Sequence, residues 1–305
     1  ILKKLINKPI MPKVLVTGSS GFIAPHVIES CLKNNYEVIG VDVNDPVIKD
    51  EKCKYIKDDV RNLNEKDLKD IDYIIHLAFI TNIPHSIQNP IKTTDDNIQM
   101  TVGLLDKAEK ANCKKFVFSS TASLYANNPL PWTEDMPIFP GEPYSWQKYS
   151  CELLCGMWSE RYSLATCTLR LYQVYGENQR QDTAISKFIK SKKEKTPITL
   201  TETTAQSSFR SARRDFIYVK DCADAFVAAT KSSKAINGEV FNIGTGKMTT
   251  VEEVAKTIGG EITFIPKRSF EVEAHQADMT KTYNSLDWKH KVEILPWLKN
   301  FLTEN

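Results

Sequence analysis

A tyrosine and a lysine that could exchange protons lie four residues apart in the segment YSWQK, from Tyr144 to Lys148. On a helix, this spacing brings both side chains to one face. An ammonium beside a phenol favours the phenolate through its charge and by hydrogen bonding. A phenol with a lowered pKa can act as a general base near neutral pH. Because Tyr-x-x-x-Lys pairs are common by chance, this hypothesis depends on the elements that would position the pair.

A glycine-containing turn precedes this pair in the chain. Gly18, Gly21 and Ala24 follow the apolar segment KVLVT (13–17) and open a segment, 21–35, with apolar residues at helical spacing. Gly18 can make the sharp turn, and Gly21 lets the backbone approach a pyrophosphate. The start of the helix offers free N–H groups and the positive end of its dipole. The order of strand, glycine turn and helix therefore predicts a dinucleotide site.

Acidic residues follow the next two predicted strands. Asp42 ends YEVIGVD (36–42), where a carboxylate can hydrogen-bond the ribose hydroxyls and repel the extra phosphate of NADP. This position favours NAD, although an ordinary turn aspartate would look the same. Asp59 and Val60 end KYIKDDV (54–60) and are candidates for contact with the adenine, or else plain loop residues.

The segments that would carry these residues alternate between short apolar runs and helical patterns. Helices are predicted over about 90–112 and 142–162, and strands over 13–17, 36–42, 54–60, 72–78, 116–120 and 166–172. Such alternation predicts an α/β fold, a doubly wound Rossmann sheet of parallel strands with helices on both faces. We expect residues 11–180 to form the NAD-binding domain. Residues 181–305 would be mainly a smaller α/β substrate-binding region, with some elements returning to the main sheet.

Composition narrows the class of protein. The 305 residues are 41% hydrophobic and 26% charged with a net charge of +2, which suits a globular protein without a basic footprint for nucleic acid. No run approaches the roughly 20 apolar residues of a membrane span, and the N-terminal pattern does not resemble a secretory signal. The seven cysteines are scattered without a Cys-x-x-Cys pair, which favours reduced thiols in the cytoplasm and no metal site.

A hydroxyl cluster, SSTASLY (119–125), lies between the glycine turn and YSWQK. Together these motifs resemble the extended short-chain dehydrogenase/reductase family, in particular its nucleotide-sugar epimerase and dehydratase branch. The resemblance covers roughly residues 13–290. It is supported by HLA (76–78), SIQNP (86–90) with Asn97, LRLYQVYG (169–176), RRDFIYVKDCADA (213–225) and FNIGTG (241–246).

The resemblance implies roles for residues at the reacting end. Tyr144 would be the acid/base, and Lys148 would lower its pKa and hold the nicotinamide ribose. Thr121 would hydrogen-bond the reacting sugar oxygen, unless it is merely a hydroxyl at a strand end. Ser119 would lie near the nicotinamide.

Further positions follow from the same resemblance. The cofactor site would include Phe22, Ile23, Leu77 and Ala78. Arg214 would bind the substrate diphosphate through its guanidinium group, and Arg268 is a candidate for a second such arginine. A surface ion pair is the plainer alternative for Arg214.

Two departures leave the substrate open. Gln173 stands where the family has an asparagine that contacts the nucleotide-sugar, so both nucleotide and sugar are in doubt. The segment 199–213 lacks the family's Gly-Asp-Gly turn, which normally helps to hold the base.

The residues after Thr121 bear on the reaction. Dehydratases of the family carry Asp-Glu there, whereas this chain has Ala122 and Ser123. An epimerase needs no further acid or base, so we expect 4-epimerisation of a UDP-hexose through a transient 4-keto intermediate. The alternatives are a reductase of a nucleotide keto-sugar, a dehydratase, or a non-catalytic dinucleotide-binding protein. The resemblance also implies a homodimer built on the helices near 90–112 and 142–162, although their apolar faces fit an ordinary core as well.

Overall fold

The chain folds around a seven-stranded parallel sheet in the computed structural model, which describes residues 11–267 and 272–304. The strands are, in chain order, β1 Lys13–Thr17, β2 Glu37–Asp42, β3 Cys53–Lys57, β4 Tyr73–His76, β5 Lys115–Thr121, β6 Thr166–Leu171, β7 Gln173–Tyr175, β8 Ile198–Thr201, β9 Arg213–Arg214, β10 Phe216–Tyr218, β11 Glu239–Ile243, β12 Thr249–Thr250 and β13 Ile262–Ile265.

Helices cover both faces of this sheet and build most of the C-terminal region. They are α1 Ala24–Lys33, α2 Ile83–Gln88, α3 Pro90–Lys110, α4 Pro143–Tyr162, α5 Ala184–Glu194, α6 Val219–Lys231, α7 Val251–Ile258, α8 Thr280–Ser285 and α9 Ile294–Glu304. The two long helices expected from the sequence, α3 and α4, lie within two residues of their predicted bounds.

Strand order in the sheet is β3-β2-β1-β4-β5-β6-β11, and every pairing is parallel. The chain leaves β1 toward β2 on one side and later returns to place β4 on the other. A crevice opens at such a point, beyond the carboxyl ends of the strands. The predicted doubly wound Rossmann sheet is confirmed.

The two faces of the sheet are buried separately. Helices α1 and α6 pack against each other over one face, around Val27, Ile28 and Phe226, none of which is more than 1% exposed. Helices α3 and α4 pack over the other face, where Leu104 and Leu105 are buried. Strands buried on both faces explain the nearly continuous apolar runs in the sequence.

The C-terminal region is attached to the sheet rather than separate from it. Strand β11 pairs with β6 and completes the sheet, as the sequence predicts for an element that returns to it. Strands β8 and β13 pair in parallel and, with α5, α7 and α9, enclose a third apolar cluster.

The third strand is shorter than predicted. It ends at Lys57 instead of residue 60, because the Asp59 side chain accepts a hydrogen bond from the Arg61 N–H and starts a 3-10 turn over Val60–Asn62. No helix in residues 11–267 or 272–304 is long and apolar enough to cross a membrane.

Candidate active site

A cavity of about 730 Å³ lies at the carboxyl ends of the central strands. Its walls come from the turn after β1, the ends of β2, β4 and β5, the first turns of α4, and β7. The structure brings most of the predicted site residues together on these walls. Those lining the cavity are Gly18, Gly21, Phe22, Ile23, Asp42, Asp59, Val60, Leu77, Ala78, Ser119, Thr121, Tyr144, Lys148 and Gln173.

Glycine is required at position 18 by both conformation and space. The φ of Gly18 is +69°, a left-handed value that residues with a side chain adopt at a cost. A Cβ there would lie 2.7 Å from the backbone nitrogen of Ala78, in the loop that follows β4. This close approach of two backbones forms the floor of the cavity.

The beginning of α1 is suited to a pyrophosphate. None of the described side chains caps its first turn, so the helix presents backbone N–H groups to the cavity. Gly21 lines the cavity, and a Cβ placed on it would contact only the Gly18 carbonyl oxygen, at 3.2 Å. A backbone cradle of this kind fits a dinucleotide diphosphate.

The acidic residues that line the cavity follow β2 and β3, whereas Tyr144 lies on α4. Asp42 ends β2 and accepts hydrogen bonds from the backbone N–H groups of Ser20 and Asn44, at 3.0 and 2.9 Å. Asp59 forms a 2.6 Å ion pair with Arg61, whose hydrogen bonds lower the pKa of Asp59. Arg61 also binds the buried Asp96 of α3 at 2.7 Å, so the loop after β3 is fastened to that helix.

Tyr144 lies in the first turn of α4, which Glu142 begins by accepting hydrogen bonds from the Ser145 N–H. Burial raises the pKa of the phenol to about 12, while a hydrogen bond with the Thr121 hydroxyl lowers it. The negative charge of Glu142 raises the same pKa, and the positive charge of Arg180 lowers it. The predicted downward shift is therefore not found, because burial outweighs the favourable contacts.

The Lys148 ammonium contacts a backbone carbonyl and an aromatic ring, whereas the sequence predicts that it lies beside the Tyr144 phenol. Its ammonium donates a 2.6 Å hydrogen bond to the Ser119 carbonyl oxygen and lies 3.6 Å from the centre of the Phe79 ring. Burial lowers the pKa of this lysine to about 7. The edge-to-face contact of Phe79 with Tyr144, with ring centres 6.0 Å apart, brings one aromatic side chain against both members of the pair.

Residues 14–244 match a model of the NAD dependent epimerase/dehydratase family. This match spans most of the chain and includes the glycine turn, Thr121, Tyr144 and Lys148. The chain belongs to the NAD-dependent epimerase/dehydratase family. The family predicted from the sequence is confirmed, and with it NAD as the cofactor of an enzyme.

Relatives of this epimerase/dehydratase act on several sugars. A UDP-glucuronate 4-epimerase of Thermodesulfobacterium geofontis is 31% identical, over 95% of this chain and 96% of that protein. The structure of a Thermotoga maritima UDP-glucose 4-epimerase with UDP-glucose matches with a TM-score of 0.84 at 28% identity, covering 96% of this chain and 99% of that one. A UDP-N-acetylglucosamine 4-epimerase of Methanobrevibacter ruminantium matches with a TM-score of 0.86 at 26% identity, covering 97% and 99%.

One predicted substrate residue of this epimerase/dehydratase, Arg214, stands apart from the others. Arg214, in β9, is not among the residues lining the cavity, and its guanidinium donates to the Arg213 carbonyl oxygen at 3.0 Å. It is close enough to His275 for its charge to contribute, after burial, to lowering the pKa of that histidine to about 3. Arg268 lies outside the described residues.

Among the cavity-lining residues that sequence patterns missed are Phe79, Arg180 and His275. Arg180 donates a 2.8 Å hydrogen bond to the Thr81 hydroxyl and follows β7 in a loop without a distinctive spacing. His275 packs against Trp132 with ring centres 5.1 Å apart. The only sequence signal for Phe79 was its position directly after HLA.

Proposed function

We propose that the protein is an NAD-dependent 4-epimerase of a UDP-hexose, acting through a transient 4-keto sugar. The observation that carries this proposal is that Thr121, Tyr144 and Lys148 line the same cavity as the glycine turn after β1. Thr121 positions a sugar oxygen, and Tyr144 removes its proton and later returns it. The chain that carries both groups belongs to a family whose members use NAD.

The chemistry needs one proton carrier and one reversible hydride acceptor. Tyr144 takes the proton of the 4-hydroxyl. It gives the proton back after the keto sugar has turned its other face toward the cofactor. Bound NAD supplies the hydride acceptor and donor. Thr121 holds the sugar oxygen during both transfers, Lys148 holds the nicotinamide ribose, and Ser119 lies near the nicotinamide.

A dehydratase would need an additional acid and base near the sugar. Within the described residues, the carboxylates that line the cavity are Asp42, Asp58 and Asp59, all of them at or beyond the ends of β2 and β3. Ala122 and Ser123 follow Thr121, and the Ser123 hydroxyl accepts a 3.1 Å hydrogen bond from Thr121. This arrangement favours epimerisation over elimination.

Asp42 supports NAD over NADP as the cofactor. Its carboxylate lines the cavity at the end of β2, and its charge would repel a phosphate on the adenosine ribose. A reductase that consumes NADPH fits this end of the cavity less well than an epimerase that recycles NAD.

The substrate end of the cavity is proposed to involve Gln173, with Arg214 and Arg268 at the diphosphate. Gln173 is exposed at the start of β7 and lines the cavity. Arg180 adds a positive charge near Tyr144 that suits either a sugar carboxylate or a phosphate oxygen. This charge makes UDP-glucuronate a second candidate substrate beside UDP-glucose.

A homodimer is proposed to form on α3 and α4. Ile91 of α3 is 87% exposed, and Trp146 and Leu153 of α4 are 52% and 58% exposed. Trp146, Leu153 and Met157 recur at helical spacing on one side of α4, where a second copy would bury them.

The cytoplasm is the proposed location. All seven cysteines are buried, free thiols, and burial raises the pKa of each one that shows a shift. Unpaired thiols in this number suit a reducing compartment.

The deciding experiment is incubation with a panel of UDP-, dTDP- and GDP-sugars, followed by proton NMR. We expect the 4-epimer of a UDP-hexose to appear, with UDP-glucose and UDP-glucuronate both in the panel, without net change in NADH absorbance. Stoichiometric loss of reduced cofactor would identify a reductase instead. A 4-keto-6-deoxy product would identify a dehydratase, and no conversion of any sugar would favour a binding protein.

A further inference from the structure

The Lys148 ammonium is enclosed by aromatic rings instead of carboxylates. Lys148 is 3% exposed, and its nitrogen lies 3.6 Å from the centre of the Phe79 ring and 4.8 Å from that of Phe118. It donates a hydrogen bond to the Ser119 carbonyl oxygen. An ammonium has three donors, and within residues 11–267 and 272–304 the protein supplies the Ser119 carbonyl oxygen as its one hydrogen-bond acceptor, so further stabilisation of the charge is needed.

The charged groups that face Lys148 supply only part of that stabilisation, although the charge of Glu152 favours the ammonium. From α4, Glu152 has its carboxylate bound by Arg170, at 2.7 Å, and the Cys151 and Cys155 thiols have raised pKa values that keep them neutral. From β4, burial lowers the pKa of His76 to about 3, so that this ring is neutral too. The negative face of an aromatic ring is then the strongest remaining stabiliser of the positive charge.

We propose that Phe79 is a positioning residue that keeps Lys148 charged and in place at the cavity by presenting the face of its ring to the ammonium. The inference rests on the proposed epimerase function for its catalytic meaning. Its physical content, a contact between a ring and an ammonium, stands on the geometry alone.

The placement of Phe79 links this contact to the reacting end of the cavity. The ring lines the cavity and meets Tyr144 edge to face, so that one side chain contacts both the lysine and the tyrosine. A neutral Lys148 would lose its attraction to the ring and its strength as a donor to the ribose. Because burial already brings the pKa of Lys148 to about 7, a small loss of stabilisation changes its charge in the neutral range.

The test replaces Phe79 by mono-, di- and trifluorinated phenylalanine, which keep the shape of the ring while weakening its negative face. Phe79→Leu, which keeps an apolar side chain without a ring, is the end of the series. The 13Cε resonance of Lys148 in lysine-labelled protein, assigned by its absence in Lys148→Arg, is followed by NMR from pH 5.5 to 9. This readout needs neither substrate nor turnover.

We expect the titration midpoint of Lys148 to fall stepwise with fluorination, by about one pH unit at the end of the series, or roughly tenfold in the ratio of charged to neutral lysine. The kcat should fall with the fraction of charged Lys148, so that variants lose more activity at pH 8 than at pH 6. KM for the sugar should change little.

An unchanged midpoint across the fluorinated series would overturn the proposal, whatever the activities are. A midpoint that falls in a protein that converts no sugar would sustain the contact and reject the epimerase function. Circular dichroism of each variant shows whether the fold is intact. If Phe79→Leu does not fold, the fluorinated series still decides the question.

Discussion

The backbone nitrogen of Ala78 occupies the space that a side chain on Gly18 would need, since a Cβ there would lie 2.7 Å away from it. The turn after β1 and the loop after β4 are thus in backbone contact beneath the cavity. Any residue larger than glycine at position 18 must push these two segments apart.

Gly18→Ala is expected to weaken NAD binding by about tenfold or more and to lower the free energy of unfolding by about 1–3 kcal/mol. The positive φ and the clash with Ala78 both contribute. Calorimetric NAD titration and urea unfolding measure the two effects. Gly141→Ala is the control, since nothing lies within 4 Å of its added Cβ; equal behaviour of the two variants would contradict the prediction.

Tyr144→Phe is expected to lower kcat by about 10²–10⁴-fold, because it removes the proton carrier and leaves the ring in place. NAD affinity should stay close to that of the parent. Tyr149→Phe, a change on the same helix away from the cavity lining, should retain turnover. Near-parental activity of Tyr144→Phe would show that Tyr144 is not the acid/base of the reaction.

Glu142→Gln is expected to move the acidic limb of kcat/KM to lower pH. The carboxylate raises the pKa of the Tyr144 phenol, so its neutralisation lowers that pKa and lets the phenolate form at lower pH. The shift should be less than about one pH unit, because Glu142 is partly exposed and water screens its charge. Arg180→Gln should move the limb the opposite way, and a common direction for both variants would refute an electrostatic origin.

Asp42→Ala is expected to weaken NAD and to reduce the preference for NAD over NADP by at least about tenfold. The ratio of the two dissociation constants, from fluorescence titration, is the measured quantity. Asp42→Asn separates charge from hydrogen bonding, since the amide oxygen can still accept from the Ser20 and Asn44 N–H groups. If both variants keep the parental ratio of the two dissociation constants, Asp42 is not the cause of the preference for NAD over NADP.

Leu153→Glu is expected to convert a dimer to a monomer in sedimentation experiments, because it places a charge within the apolar face of α4. Lys193→Gln, which makes the same change of net charge on α5, should remain dimeric. A parent protein that sediments as a monomer at micromolar concentration would be evidence against the interface.

Local patterns were enough to predict the glycine turn, the strands around it and the helix that carries Tyr144 and Lys148. In those segments, periodicity and backbone conformation act over a few residues. Sequence spacing placed the tyrosine and lysine on one face, but it could not show that Phe79 contacts both side chains. That arrangement depends on how the loop after β4 packs against α4.

The remaining site residues depend on contacts between distant parts of the chain. Arg180 approaches Tyr144 from the loop after β7, and His275 reaches the cavity because its segment bridges to Trp132 and β9. Neither has a characteristic neighbourhood in the sequence. Burial raises the pKa of Tyr144, and the spacing of residues in the sequence does not reveal how deeply a side chain is buried.

The return of β11 to the sheet constrains how the protein can fold during its synthesis. Its partner β6 ends at Leu171, while β11 begins at Glu239, so a growing chain has β6 as an open sheet edge until nearly seventy further residues have left the ribosome. The unpaired edge of a strand that is buried in the folded protein is a template for aggregation. Truncation after the nucleotide-binding motifs, near residue 180, should therefore yield insoluble protein rather than a smaller cofactor-binding domain.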